Sequence, residues 1–414
     1  MGRLARATGE AAIGTRATSH PATGAGDRHD GAARDRPIAD DRRCPMEVVL
    51  EGIELRTVRL PLAQPFITAR GTRHTREVVI VRAIVADGPD GWAECVAEPE
   101  PTYWPEYTAE VLHVMEHHLV PRLLAGRPLG EVRGHHMAKA ALEGAALDAG
   151  LRAEHRSTAS FLGATRPVIP TGIALGLAPT IDDLVAEARR WQGEGHRSFK
   201  LKVTPSWHVE AVQAVRDAIG DDVALLVDAN GSFSSDDADH LATLRWLADP
   251  VLGLAAIEQP FPGDDLLGHA ALARQVDVRV CLDESIGSVR DVETALALGA
   301  CGAVNLKVGR VAGLVEARRI HGLCRREGVA LRCGGMLETG LGRALNLAVA
   351  ALPGCTLPPD LGPSARYFET DLTRPFEAPN GTMIVPDGPG LGVEPLPEVL
   401  DEMTVSRLIM RSAP

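Results

Sequence analysis

From Val48 onward the chain alternates between two rhythms of apolar and polar positions. VVLEGIELRTVRLPL and REVVIVRAIVADG carry β-branched residues in partial alternation, and a DGPDG turn separates the second from GWAECVAE. This pattern predicts a short antiparallel meander. Helical spacing follows in TAEVLHVMEHHLVPRLL and in the Ala- and Leu-rich HHMAKAALEGAALDAGLRAE. Residues 47–165 are therefore expected to form an α+β unit. After Arg166 the rhythm becomes regular. Short apolar runs recur at VIPTGIALG, SFKLKV, VALLVDA, LAAIEQP, VRVCLDES, AVNLKVG, VALRCGG and, more weakly, near CTLPPD. Helical stretches lie between them. Trp207–Ile219, for example, sets Val209, Val212, Val215 and Ile219 on one face, with Gly220 placed to cap it.

Eight strands alternating with helices are the signature of a (β/α)8 barrel. A doubly wound open sheet is the alternative, and it is disfavoured because no strand is followed by GxGxxG or GxxxxGK[ST]. The barrel is expected over 166–364. Residues 365–414 hold Pro and Gly clusters without a further βα unit and are expected to pack back on the first domain. Residues 1–45 have no periodic apolar pattern and carry six acidic residues. They read as a disordered leader, or as an upstream start with the functional one near Met46.

Composition narrows the class. The chain is 45% apolar and 24% charged, with no apolar run near the ~20 residues of a membrane span. A net charge of −12 argues against a nucleic-acid or anionic-membrane partner. Seven scattered cysteines form no CxxC pair and read as reduced core residues of a cytoplasmic protein. Lys and Arg total 43, yet only Lys139, Lys200, Lys202 and Lys307 are lysine. Arg stays charged where a buried Lys can titrate, so the surviving lysines are candidates for positions that need an amine.

Asp228 ends LLVDAN, Glu258 ends AAIEQP and Asp283 ends VCLDES, each at the C-terminal end of a predicted strand. That is the face on which barrels build their sites. A single strand-end Asp is as readily a helix cap. Three on successive strands would repel one another unless a cation held them, and an all-oxygen set suits Mg²⁺. Lys200 and Lys202 share one face of strand 2, while Lys307 closes strand 6, diametrically opposite in an eight-stranded barrel. A carboxylate substrate bound to Mg²⁺ can lose its α-proton to a lysine, because the metal stabilises the resulting enediolate. Lys200 beside Lys202 supplies a like charge expected to depress the latter's pKa. Bases on both faces allow racemisation, and one base with a cation opposite allows β-elimination.

KLKV, LLVDAN, IEQP, CLDES, NLKVGR and CGGMLETGLG resemble the enolase superfamily, in its muconate-lactonizing subgroup. Within it the chain is most similar to the o-succinylbenzoate synthase / N-acylamino acid racemase family. The resemblance runs from about residue 48 to 410 and includes PFITARGT, GWAECV, YWPEY and YFETDLTRPF. It implies a (β/α)7β barrel closed by a capping domain that both termini form. It implies Mg²⁺, with Mn²⁺ or another divalent cation able to substitute, held by Asp228, Glu258 and Asp283. Lys202 and Lys307 match the acid/base lysines, and Lys200 the lysine assisting the first. Asn230 and Met336 match positions near the substrate, Phe66 and Tyr103 fall in capping loops, and Arg310 follows the second lysine as in members that racemise N-acylamino acids. Lys139 matches a position outside the site.

The implied activity is o-succinylbenzoate synthesis, N-acylamino acid (N-succinylamino acid) racemisation, or both, on a small-molecule carboxylate, in a cytoplasmic homo-oligomer serving menaquinone or amino-acid metabolism. Dipeptide epimerisation and muconate cycloisomerisation are the alternatives, and no DxD stands near the end of strand 8 to hold a free amino terminus. A barrel that only binds is the rival from another class; the complete set of carboxylates and lysines argues against it. GIALGL, AEPEPTYWPEY and KVGR depart from close relatives and bear on the side-chain pocket.

Overall fold

The structure is a computed structural model describing residues 48–68 and 71–412, without the side chains of residues 66–68 and 71. The leader expected over 1–45 and the Phe66 side chain both lie outside the described residues. Three N-terminal strands, β1 (Leu50–Thr68), β2 (Gly71–Val85) and β3 (Gly91–Cys95), form the antiparallel meander. Then come β4 (Val168–Pro170), β5 (Ile173–Leu175), β6 (Ser198–Lys202), β7 (Ala224–Asp228), β8 (Leu254–Glu258), β9 (Arg279–Leu282), β10 (Ala303–Asn305) and β11 (Ala330–Arg332). The chain ends with β12 (Thr382–Ile384) and β13 (Thr404–Arg411). Strand β13 pairs with the free edge of β1, so the last segment of the chain extends the first sheet.

The central strands β1 and β2 are covered on both faces, which explains their near-continuous apolar runs. Ile53, Leu55, Val79 and Val81 pack under the helix His136–Ala153, against Met137, Ala141, Leu142 and Ala145. Gly91 opens β3 because a Cβ there would lie 2.0 Å from the Ala145 carbonyl oxygen. On the opposite face Val58, Leu60, Val78 and Ile80 meet Leu341 and Ala344 of the helix Gly340–Ala350. The cap and barrel thus share a core.

Strands β5 to β11 form one parallel sheet in chain order. An extended stretch after the last of them closes it: Leu331 bridges Cys355, the Leu357 N–H donates to the Leu331 carbonyl (3.0 Å), and the Gly172 N–H donates to Pro359 (2.7 Å). This is the (β/α)7β barrel. VIPTGIALG, expected as one strand, is two. Val168–Pro170 pairs antiparallel with β12, and only Ile173–Leu175 enters the barrel. Pro170 has no N–H to carry a ladder onward. The helix expected from Trp207 starts at Val209, whose N–H donates to His208 Nδ1 (2.7 Å). Among the described residues no helix is long and apolar enough to cross a membrane.

Side-chain alternation does the rest. Phe199, Leu201, Leu225, Val227, Ile257, Val280, Leu282, Val304 and Leu331 point out to the helices. Leu226, Ala256, Cys281 and Ala303 point inward and form a small apolar plug with Leu357. With a period of two, the next inward positions are Asp228, Glu258, Asp283 and Asn305, one layer above the plug.

Candidate active site

The ladder brings the expected residues together. Lys202 pairs in register with Asp228, and Asp228 with Glu258. The Lys202 ammonium donates to Asp228 Oδ2 and Asn230 Oδ1, both at 2.7 Å. Lys200 Nζ stands 2.9 Å from Asp228 Oδ2, 2.9 Å from Glu258 Oε1 and 2.8 Å from Asp360 Oδ2. Lys307 donates to Asp283 Oδ2 at 2.7 Å and to the Tyr103 hydroxyl at 3.0 Å. Gln259, fully buried, ties the ends of β8 and β9: its Oε1 accepts from the Asp283 N–H (2.8 Å) and the Ser285 N–H (3.2 Å).

Burial and charge compete in this layer. Desolvation alone would raise the Asp228 pKa; the Lys200 and Lys202 ammonium groups outweigh it and hold the carboxyl well below its ordinary value. Asp283 is likewise held low, burial being overcome by Lys307 and Arg310. Glu258 goes the other way, because its burial outweighs Lys200 and Arg332. Burial pulls Lys200 and Lys307 down, yet facing carboxylates hold both above the ordinary lysine range. Lys200 is thus the shared counter-charge of three carboxylates, a tighter anchoring than a neighbour whose only effect is on Lys202.

A cleft of about 90 Å³ opens beside the carboxylate layer, lined by Lys200, Lys202, Lys307, Asn230, Met336 and Tyr103 among others. Two amines from strands four apart therefore face one space. Burial pushes the Tyr103 phenol up to about 12, so it stays protonated. Asn230 holds a positive φ of 45° just past the strand end, its side chain spanning from Lys202 to Glu284 Oε1 (3.0 Å). Arg310 does not line the cleft. It is fully buried behind Asp283, donating to that carboxylate, to the Tyr103 hydroxyl and to the Ile286 carbonyl (3.0 Å). Lys139 is remote and donates to the Val132 carbonyl.

Other residues of the site are new from the structure. Asp360 holds Lys200 and stands 3.2 Å from Arg332 Nη2, while another Arg332 nitrogen donates to Glu258. Asn305 donates to Glu258 Oε1 at 2.9 Å. Arg73 and Glu98 form a two-pronged ion pair on the cap side of the cleft. Asp360 ends the weak CTLPPD run, so its strand-end position was the available signal.

Two family models cover the chain: the mandelate racemase / muconate lactonizing enzyme N-terminal domain over residues 52–163, and the enolase C-terminal domain-like family over 183–399. The chain belongs to the enolase superfamily. Within it, the chain falls in the o-succinylbenzoate synthase / N-acylamino acid racemase family. It is 48% identical to an N-succinylamino acid racemase of an Amycolatopsis species over 87% of this chain and 98% of that one. It is 40% identical to an o-succinylbenzoate synthase of Geobacillus kaustophilus over 84% and 94%. A solved enolase-superfamily protein of Listeria innocua superposes with a TM-score of 0.84 at 34% identity, over 89% of this chain and all of that one.

Enolase-superfamily members are generally Mg²⁺-dependent. The donor chemistry fits such an ion: three carboxylates with no nitrogen or sulfur among them, buried and convergent on positive charge. In this structure ammonium and guanidinium groups supply that charge. Among the described residues no three His, Cys, Asp or Glu side chains form a ready metal cluster.

Proposed function

We propose that this enzyme moves the α-proton of a small carboxylate held between Lys202 and Lys307, racemising N-succinylamino acids and dehydrating the precursor of o-succinylbenzoate. One observation carries the proposal: the two amines, from strands four apart, line a single cleft, and each is hydrogen-bonded to a buried carboxylate, Lys202 to Asp228 and Lys307 to Asp283. Lys202, once deprotonated, takes the proton from one face. Lys307, held as ammonium by Asp283, returns one from the other, and the roles exchange for the opposite enantiomer. Lys200 bridges Asp228, Glu258 and Asp360, and Asn230 orients Lys202. For dehydration Lys202 takes the α-proton and, as the ammonium so formed, returns it to the β-hydroxyl, which leaves as water, with Lys307 the facing cation.

Asp228, Glu258 and Asp283 would hold Mg²⁺, or Mn²⁺ in its place. Bound there, the ion would supply positive charge to the substrate carboxylate as it takes on enediolate character. Tyr103 and Met336 would wall the substrate pocket. The six described cysteines are free, which supports a cytoplasmic setting; the same proposal includes a homo-oligomer. Racemisation of N-succinyl and N-acetyl amino acids, followed by polarimetry with Mg²⁺ and with EDTA, tests it. Turnover with Mg²⁺, abolished by EDTA and restored by added Mg²⁺, is the expected result. No turnover of these or of the o-succinylbenzoate precursor would remove the substrate assignment.

A further inference from the structure

Two buried charged residues of the cap, Arg76 on β2 and Glu94 on β3, do not line the cleft, yet both reach into the barrel. They meet the loop between β11 and the helix Gly340–Ala350. That loop supplies Gly335, Met336, Leu337 and Glu338 to the cleft wall. Met336 is buried in one core of the cap and Leu337 in the other. Leu337 holds a φ of +57°, a left-handed conformation that a branched side chain resists. A residue in that state persists only where its surroundings over-determine it.

Arg76 and Glu94 supply the constraint. Arg76 Nε donates to the Leu337 carbonyl at 3.3 Å, and its other nitrogens donate to Ala97 O (3.2 Å) and Val96 O (2.8 Å), just before Glu98. One guanidinium thereby ties the cap loop to the barrel loop. Glu94 Oε2 accepts from the Thr339 N–H (2.9 Å), the Thr339 hydroxyl (2.7 Å) and the Gly342 N–H (3.3 Å), at the start of the helix. Within the loop, Glu338 Oε2 accepts from the Met336 N–H at 2.7 Å and its Oε1 from Asn346 at 2.8 Å.

We propose that Arg76 and Glu94 are positioning residues: a cap-to-barrel latch that holds the Gly335–Glu338 wall in its strained form and so sets which substrate side chains the cleft admits. The kinetic part rests on the cleft being the substrate site. Neither residue takes part in the proton transfer, so their loss is read in KM and selectivity.

The charged groups facing Glu94 are Arg76 from β2 and Glu338 from the loop, with the Thr339 and Gly342 amides. Burial pushes its carboxyl up to about 7, Arg76 opposing and Glu338 adding to the rise. The ionised form is the one that accepts three hydrogen bonds at a helix start, so the latch tightens as pH rises through about 7 and loosens below it.

The test combines amide hydrogen exchange with steady-state kinetics on the wild type, Glu94→Gln and Arg76→Lys. In both variants exchange at residues 335–342 is expected to quicken about tenfold, with the barrel strands β7 and β8 unchanged. KM for an N-succinylamino acid with a bulky side chain should rise about tenfold relative to one with a small side chain, with kcat within about threefold. Wild-type KM should climb as pH falls from 8 to 6, and Glu94→Gln should be flat. Unchanged loop exchange, or a loss in kcat with KM and selectivity intact, overturns the proposal. Should a variant fail to fold, wild-type loop exchange from pH 6 to 8, corrected for the intrinsic rate, decides alone: no loosening below pH 7 overturns it. If no succinylated substrate turns over, the exchange data still judge the latch, and the failure counts against the substrate assignment.

Discussion

Asp360→Asn isolates one charge of the buried layer without changing its volume. Asp360 is 7% exposed, 2.8 Å from Lys200 Nζ and 3.2 Å from Arg332 Nη2. At an effective dielectric of about 20, each contact is worth about 5–6 kcal/mol of gross Coulomb attraction. Desolvation of the ions cancels much of it, and removing one member of a buried ion pair typically costs 3–5 kcal/mol net. Asn keeps the shape and one acceptor oxygen, so a loss of about 3 kcal/mol is expected. Urea unfolding at pH 7 reads this as a midpoint drop of about 1 M for a slope near 3 kcal/mol/M, with the slope itself unchanged.

The pH dependence has a definite sign. Burial raises the Asp360 pKa, but Arg332 and Lys200 outweigh it and hold the carboxyl below its ordinary range. Its stabilising contribution is therefore complete above the unfolded value of about 3.9 and is lost as pH falls through the depressed folded value. The gap between wild type and variant should be full at pH 7 and shrink below about pH 4. A variant as stable as wild type at pH 7, or a gap unchanged at pH 3, would refute the role of this charge.

Three further outcomes follow from particular contacts. Tyr103→Phe removes the hydroxyl that accepts from both Lys307 and Arg310, and kcat is expected to fall about 10–100-fold, equivalent to about 1.4–2.7 kcal/mol in total; unchanged kinetics would detach Tyr103 from the proton transfer. Arg216→Met strips donors from Leu252 O (2.8 Å), Gly220 O (2.7 Å) and Val223 O (2.9 Å), remote from the cleft. Urea unfolding should show a loss of about 2–4 kcal/mol with KM and kcat intact. Gly340→Ala places a Cβ 1.7 Å from Thr373 Oγ1, so a lower melting temperature is expected, partly restored by Thr373→Ala.

The carboxylate layer was legible in the chain because alternation with a period of two is local: an apolar inward residue predicts the polar one two positions on. Asp228, Glu258 and Lys202 needed nothing more. Asp360 escaped because the segment that carries it makes a single bridge, at Cys355, and Pro358 and Pro359 interrupt its ladder pattern. Nothing local in VALRCGG marks Arg332, whose pairing with Glu258 spans 74 positions. Arg310 followed the second lysine in sequence, yet the turn after β10 buries it beneath the cleft. The Arg76–Leu337 contact joins residues 261 positions apart, which no local pattern encodes.

In the proposed reaction Lys202 and Lys307 serve opposite faces of one α-carbon. Proton NMR in D₂O, with each enantiomer of an N-succinylamino acid and the variants Lys202→Arg and Lys307→Arg, tests it directly. Wild type should exchange the α-proton of both enantiomers. Each variant should lose racemisation and retain exchange of only one enantiomer, the opposite one in each case. Racemisation persisting in either variant, or both variants sparing the same enantiomer, would contradict the account.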